Sequence, residues 1–556
     1  MTNSRQLKVN NLFPSNIGGL KQTQYENNLV NFIVNNMKPI SITENKDFQK
    51  LILDLDPNIK MISRRTVGRR INDNYNNVLN SLKLFFQTHC EVRVCTTADI
   101  WSTKHRSFIG ITAHWIDDKT LGRHSCVLAC QRFFGAHTFD KIGEIMVDIF
   151  SKFNLSNDNI VSTVTDNGSN FVKAFKEFGC KIKTSNNDSD TDSDGDMDKD
   201  LNEDNELSFL VVDENDDGDI LLPQHLRCAS HTLSLLATTD FQNILKNSNA
   251  KKYHHPALSK CSTLWNLSRK PKSSEVISNI INCSLIYPVI TRWNSLYDSI
   301  SQLIKHKAKL NTLTRDLGLK YQFNETDISY LTEFVLLMKP IACALDHLQS
   351  ESNFYYGHLI PTLFSLKSRL LILKEQHLRY TFTFIDPLIT SLEKRFKLYF
   401  DLSPEVDEAI LASCFHPTFK LRWIPEHDEI MKNRVKNLCI NIAEKYIENS
   451  SHTEFSVDNV DDEDFLIFSS QEQCFDSRAN LEVVQFFNNK NKALTCLDSY
   501  PTIKKLFIRY NTSLPSSAPV ERLFSFAGFI HAPNRSNLSN TNFEKLVFLK
   551  GNDIYR

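Results

Sequence analysis

An α/β fold with a long all-α stretch behind its sheet-forming part is what this sequence predicts, and three patterns predict it. Val92, Val94, Thr96, Ala98 and Ile100 recur at every second position, the period of a strand. Residues 108–116, 126–133 and 160–165 are further β-rich runs, bounded by polar or glycine-containing segments. Residues 295–510 instead carry apolar side chains three and four apart, the period of a helix.

Composition bounds the rest. At 556 residues the chain is too long for one small core, so two to four domains are expected. A 41% hydrophobic content and a formal net charge of -1 are those of an ordinary globular protein. No run of 18 apolar residues occurs, so neither a membrane span nor a membrane partner is predicted. The first residues, MTNSRQLKVNNLF, lack the apolar core of a secretory signal. Thirteen cysteines are scattered without a Cys-x-x-Cys pair, which argues against a disulfide framework and for a reducing compartment.

In chain order, residues 1–24 are a polar lead-in expected to be disordered, and 25–90 a small helical module. Its first helix stops before Pro39, and Ser41 to Glu44 has the form of a capping box. Lys60, Arg64, Arg65, Arg69 and Arg70 cluster at the start of its last helix. That cluster is either a solvated helix start or a phosphate-contact patch.

Residues 91–240 then read as three strands, a helix, a strand and a helix, the order of an RNase H-like core. Asp99 lies on the first strand. Asp166 closes the fourth, before the turn residues Asn167 and Gly168. Strand ends are where open α/β sheets hold their ligands. The order is broken at residues 185–219, where an alternating aspartate run predicts a disordered, self-repelling insert.

Cys228 and His231 follow, three apart and so on one face of a helix. They are two ligands short of a zinc site, and a satisfied, partly buried pair is the plainer reading. Arg292 and Trp293 open another helix. The tryptophan is either core or a base-stacking shelf beside a phosphate-binding arginine. Residues 241–500 form the all-α insertion.

Residues 501–556 hold the last motif. Ser517 reads as a helix cap, Pro519 as first-turn proline, and Val520, Leu523, Phe524 and Ala527 as one apolar face. Glu521 sits beside that face. It is either a carboxylate favouring the helix dipole or a half-buried acid with a task. The face, continued by Leu546 and Val547, is either packed on the chain's own core or a self-association surface.

Five pieces, taken together, resemble the hAT transposases, and among them the host proteins derived from transposases that carry a BED zinc finger. They are Ala98 to Ser102, Thr165 to Asn170, Leu226 to Leu233, Thr291 to Asn294, and Ser517 to Gly528, in the family's order. The resemblance implies a DDE site of Asp99, Asp166 and Glu521 on an RNase H-like core interrupted by a large helical insertion. It implies Mg²⁺ or Mn²⁺ held by those three acids, and DNA cleavage and strand transfer. Cys228, His231, Arg292 and Trp293 would lie near the DNA end. Val520, Leu523, Phe524, Leu546 and Val547 would belong to a dimerisation region, in a nuclear protein whose partners are DNA and itself.

The chain departs from the family in three ways. It has no zinc-finger pattern, it reads His416-Pro417-Thr418-Phe419-Lys420 where the family has an aspartate in first place, and its net charge is near zero. A non-catalytic, domesticated DNA-binding or transcription-regulating protein is the alternative.

Overall fold

The computed structural model describes residues 17–179, 220–289, 294–350, 354–451, 474–531 and 538–555. The acidic stretch 185–219, and Arg292 with Trp293, lie outside the described residues.

Five strands form one sheet, in the order β3-β2-β1-β4-β5. β1 (Val94–Ser102), β2 (Ser107–Ile116) and β3 (Arg123–Phe133) form an antiparallel meander. β4 (Ile160–Thr165) and β5 (His225–Arg227) add parallel to β1 on its other side. The parallel step from β3 to β4 is crossed by a helix, as such a connection requires. That helix, Phe139–Lys152, buries Ile142, Met146, Ile149 and Phe150 at the predicted spacing. The succession of three strands, a helix, a strand and a helix is the one anticipated from the pattern of elements.

In the N-terminal module, α1 (Ile17–Asn35), α2 (Lys46–Leu55) and α3 (Arg64–Thr88) precede the sheet. Residues 40–44 are a 3₁₀ turn, not a capping box. The cap of α2 is Asn45, whose side chain accepts from the Phe48 N–H at 2.9 Å. The module shares one hydrophobic core with the sheet and the two last helices, Ala518–Ile530 and Asn540–Gly551.

From Ala229 to Asn511 every described element is helical, around a second core. One of its helices, Glu325–Leu348, is long and apolar enough to cross a membrane by length and composition. Here Tyr330, Leu331, Phe334, Leu337 and Leu345 of that helix are buried in the helical core. The half-buried Arg123 of β3 joins the two cores. Its guanidinium donates to the carbonyls of Phe354 (2.9 Å), Thr512 (2.7 Å) and Asn511 (2.5 Å) and lies over the Tyr355 ring.

Two expectations are corrected by packing. Val520, Leu523, Phe524, Leu546 and Val547 are all buried in the chain's own core, at 7% exposure or less. An amphipathic period shows that a face is covered, not by what, and this one is covered by the sheet. Arg70 is likewise not free for phosphate, because it pairs with Glu26 and ties α3 to α1. Lys60, Arg64, Arg65 and Arg69 remain exposed.

Candidate active site

Three elements bring three carboxylates toward one end of the sheet. Asp99 sits on β1, and its Oδ1 accepts from the Ile100 N–H at 2.7 Å. Asp166 follows β4 directly. Its Oδ1 accepts from the Gly168 N–H at 2.9 Å, which fixes the tight turn into helix Ser169–Phe178. Glu521 lies in the first turn of Ala518–Ile530, where Ser517 Oγ donates to its Oε1 at 3.3 Å. The predicted cap serine thus spends its hydroxyl on the carboxylate and makes no side-chain cap bond.

The acids feel one another. Burial first, then the charge of Asp166, raise Asp99 to about 7, and Glu521 adds to the shift. Burial and then Asp166 also push Glu521 up, against the hydrogen bond from Ser517. Burial with mutual repulsion of this kind marks acids gathered in one place, and the Arg522 charge offsets only part of it at Glu521. The three interact at electrostatic range. Among the described residues, no group of three or more His, Cys, Asp or Glu is gathered closely enough to hold an ion. Their chemistry suits Mg²⁺ or Mn²⁺, which take oxygen ligands and keep several waters. Asn167 Oδ1, next to Asp166, is buried with no hydrogen-bond partner among the described residues and is a further oxygen of the right kind.

Glycine sets how close the third acid comes. Gly110 of β2 is the cross-strand partner of Asp99. A Cβ at Gly110 would lie 2.7 Å from Phe524 Cζ and 2.9 Å from Val520 Cγ2. These two residues are one helical turn apart, so the helix that carries Glu521 rests on this glycine. A glycine inside a strand signals such close approach, and Gly110 within FIGITAHWI carried that signal unread. Trp101, two residues from Asp99 and so on the same face of β1, stacks on Phe524 at 5.9 Å and helps seat the helix.

Cys228 lies at the junction of these pieces. Its N–H donates to Thr165 O at 2.9 Å, next to Asp166. Its Sγ accepts from the His231 N–H at 3.4 Å and from the Ser517 N–H at 3.3 Å. The side chain is fully buried, and burial raises its thiol pKa, so it remains a thiol. The expectation that Cys228 touches DNA is therefore corrected: it is a positioning residue that links the Asp166 strand to the Glu521 helix. His231, half-buried, stands beside Asp166, which opposes the lowering of its pKa by burial. His225 Nε2 meets Thr165 Oγ1 at 2.8 Å while its ring stacks on Phe175.

A sheet of this order, with two aspartates at adjacent strands and a glutamate on a covering helix, is an α/β arrangement of the RNase-like kind. Comparison with known proteins narrows it. Residues 97–192 match a family model described as the ZBED1 RNase-like domain, a span that contains both aspartates. Two Zea mays proteins described as AC and AC9 transposases are each 25% identical to the chain over 277 residues. That stretch is 49% of this chain but only 30% and 29% of those relatives. Both findings support the resemblance to the hAT transposases and to ZBED-like, transposase-derived proteins.

Proposed function

We propose that the chain is a DNA-handling, DDE-type protein that cleaves and joins DNA strands at Asp99, Asp166 and Glu521. The observation that carries this reading is the placement of Asp99 on β1, Asp166 at the end of the adjacent β4 and Glu521 on the helix that packs over β1, within electrostatic range of one another. Divalent ions would offset the repulsion among these acids, and Asp99, Asp166 and Glu521, too far apart in the described structure to chelate one ion together, would have to close on the metal to hold it. Bound Mg²⁺ or Mn²⁺ supplies Lewis-acid stabilisation of the attacking and leaving oxygens.

The chain's own residues do the rest. Gly168 N–H and Ser517 Oγ orient Asp166 and Glu521, Cys228 holds their elements together, and Gly110 sets the helix against β1. Lys60, Arg64, Arg65 and Arg69 form an exposed basic surface suited to the DNA backbone. Arg292 and Trp293 keep the role that the family resemblance gives them, a phosphate contact and a base shelf. The working compartment is the nucleus. Self-association, where it occurs, uses a surface other than the buried face of Val520 and Leu523, and sedimentation of the full chain tests for it.

Mn²⁺ titration followed by electron paramagnetic resonance, together with plasmid nicking in Mg²⁺ or Mn²⁺, tests the reading. Asp99→Asn, Asp166→Asn and Glu521→Gln should each lose bound Mn²⁺ and nicking. Mn²⁺ bound equally by the wild type and the triple variant sinks the metal site. DNA binding without nicking in any metal assigns the non-catalytic, domesticated role instead.

A further inference from the structure

A second nucleic-acid contact is suggested by a cleft of about 630 Å³ in the helical region. α4 (Phe139–Lys152) and α5 (Ser169–Phe178) follow the meander and β4, and α6 (Ala229–Leu235) begins at Cys228. α6 continues through a π turn, Leu236–Asp240, into α7 (Phe241–Lys246), so residues 229–246 form one rod. α8 (Lys251–Ser268) follows. One end of the rod carries His231 beside Asp166, and the other lines the cleft with Asn243 and Asn247.

The cleft is also lined by Tyr253 and Tyr380, whose rings meet edge to face at 4.8 Å. A cation accompanies each ring: Lys252 at 5.0 Å from the Tyr253 centroid and Arg379 at 5.4 Å from that of Tyr380. None of the described residues lining the cleft is acidic. The amides of Asn243 and Asn247 make no hydrogen bond to a described residue.

The Arg379–Tyr380 loop is held in advance. The Glu333 carboxylate accepts from the N–H groups of Arg379 (2.9 Å), Tyr380 (2.7 Å) and Thr381 (3.0 Å). Glu333 is thereby occupied by backbone and does not cancel the two cations. The acid at the π turn, Asp240, is likewise occupied, by Arg395.

We infer that this cleft binds a single-stranded DNA segment flanking the one at the acidic site. Aromatic rings give bases a sequence-tolerant platform, Lys and Arg hold phosphates, and free amides face base edges. The inference rests on the DNA-handling reading for its polymer class and not on catalysis. Twelve residues of rod separate His231 from Asn243, roughly 18 Å at the helical rise. A strand whose reacting phosphate is at Asp166 therefore reaches the cleft within a few nucleotides.

The test is fluorescence anisotropy of the full chain with a labelled 12-nucleotide single strand, in an Asp99→Asn background to prevent cleavage. Tyr380→Ala is expected to weaken binding about fivefold to a hundredfold, as the loss of one base stack would. Tyr380→Phe, which keeps the ring, should bind like its parent. Arg379→Gln alters an exposed side chain, so the fold is not at issue, and should lower the slope of log affinity against log salt by about one. If the parent binds the strand and Tyr380→Ala and Arg379→Gln bind equally well, the cleft is not the site, although the DNA reading stands. If a polyglutamate peptide occupies the cleft and DNA does not, the occupant is an acidic protein segment and the inference is wrong. Intact strand binding with no nicking by the wild type overturns catalysis alone.

Discussion

Gly110→Ala puts the geometry of the carboxylate site to its hardest test. The added methyl would stand 2.7 and 2.8 Å from two Phe524 ring atoms and 2.9 Å from Val520 Cγ2. Ordinary carbon contacts lie at about 3.5–4.0 Å, so close to 1 Å must be found. Phe524 cannot swing away freely, because Trp101 stacks on it. Val520 is a short side chain beside its own backbone. The helix must therefore lift, and Glu521 with it. Overpacking of this kind costs about 1–3 kcal/mol of stability, which urea unfolding will register. A displacement of about 1 Å in a catalytic group costs on the order of a hundredfold in rate. Nicking should fall by that factor while most of the stability survives. Carbon-13 NMR of the Asp99 carboxyl gives a readout independent of activity. With Glu521 withdrawn, its pKa should drop below the present value of about 7. Val520→Ala in the same chain should recover part of both losses. An unchanged Asp99 titration together with unchanged nicking would mean that the helix does not rest on Gly110, and the account of the site would be wrong.

Three further outcomes follow from the structure. Asp99 is raised in the native state, so between about pH 4 and 7 the folded chain holds a proton that the unfolded chain releases, and stability falls as pH rises through that window. In metal-free buffer, Asp99→Asn should melt higher than wild type at pH 8 and by a smaller margin at pH 5; parallel melting curves would refute the shift. His416 is pushed down by burial to about 3, so it enters the fold neutral and stability is lost as pH falls below about 6.5. His416→Asn should flatten that acid limb of the melting profile, and a limb as steep as wild type would count against it. Arg123→Met should cost about 3–5 kcal/mol in urea unfolding, because several buried carbonyls lose their donor at once; a loss below 1 kcal/mol would show that water replaces the guanidinium.

Sequence periodicity read the sheet well because each strand and helix of the core writes its own burial into its side chains. Val94, Ala98, Ile142 and Met146 are buried where the periods of two and 3.6 put them. What a face packs against is not written locally. The stripe of Val520, Leu523 and Phe524 looked the same whether its cover was a second copy or the sheet of its own chain. Likewise the arginines of α3 gave no sign that Arg70 answers to Glu26, a residue 44 positions earlier. Cys228 and His231 did lie three apart, yet Cys228 caps its helix and faces inward while His231 looks toward Asp166. Spacing located the pair, but only the long-range bond to Ser517 gave Cys228 its role. Trp293 lies outside the described residues, so its two readings stay with the experiment.

The seating of the Glu521 helix on Gly110 also dictates when this protein can finish folding. Roughly 400 residues separate the strand from the helix that covers it. At about 5–20 residues per second of synthesis, the β1–β2 face waits roughly 20–80 s for its cover to leave the ribosome. During that interval the apolar side chains destined to lie beneath the helix, Trp101 among them, face solvent or a chaperone. The nascent chain is then at its greatest risk of aggregation, and the carboxylate site is assembled among the last features of the fold.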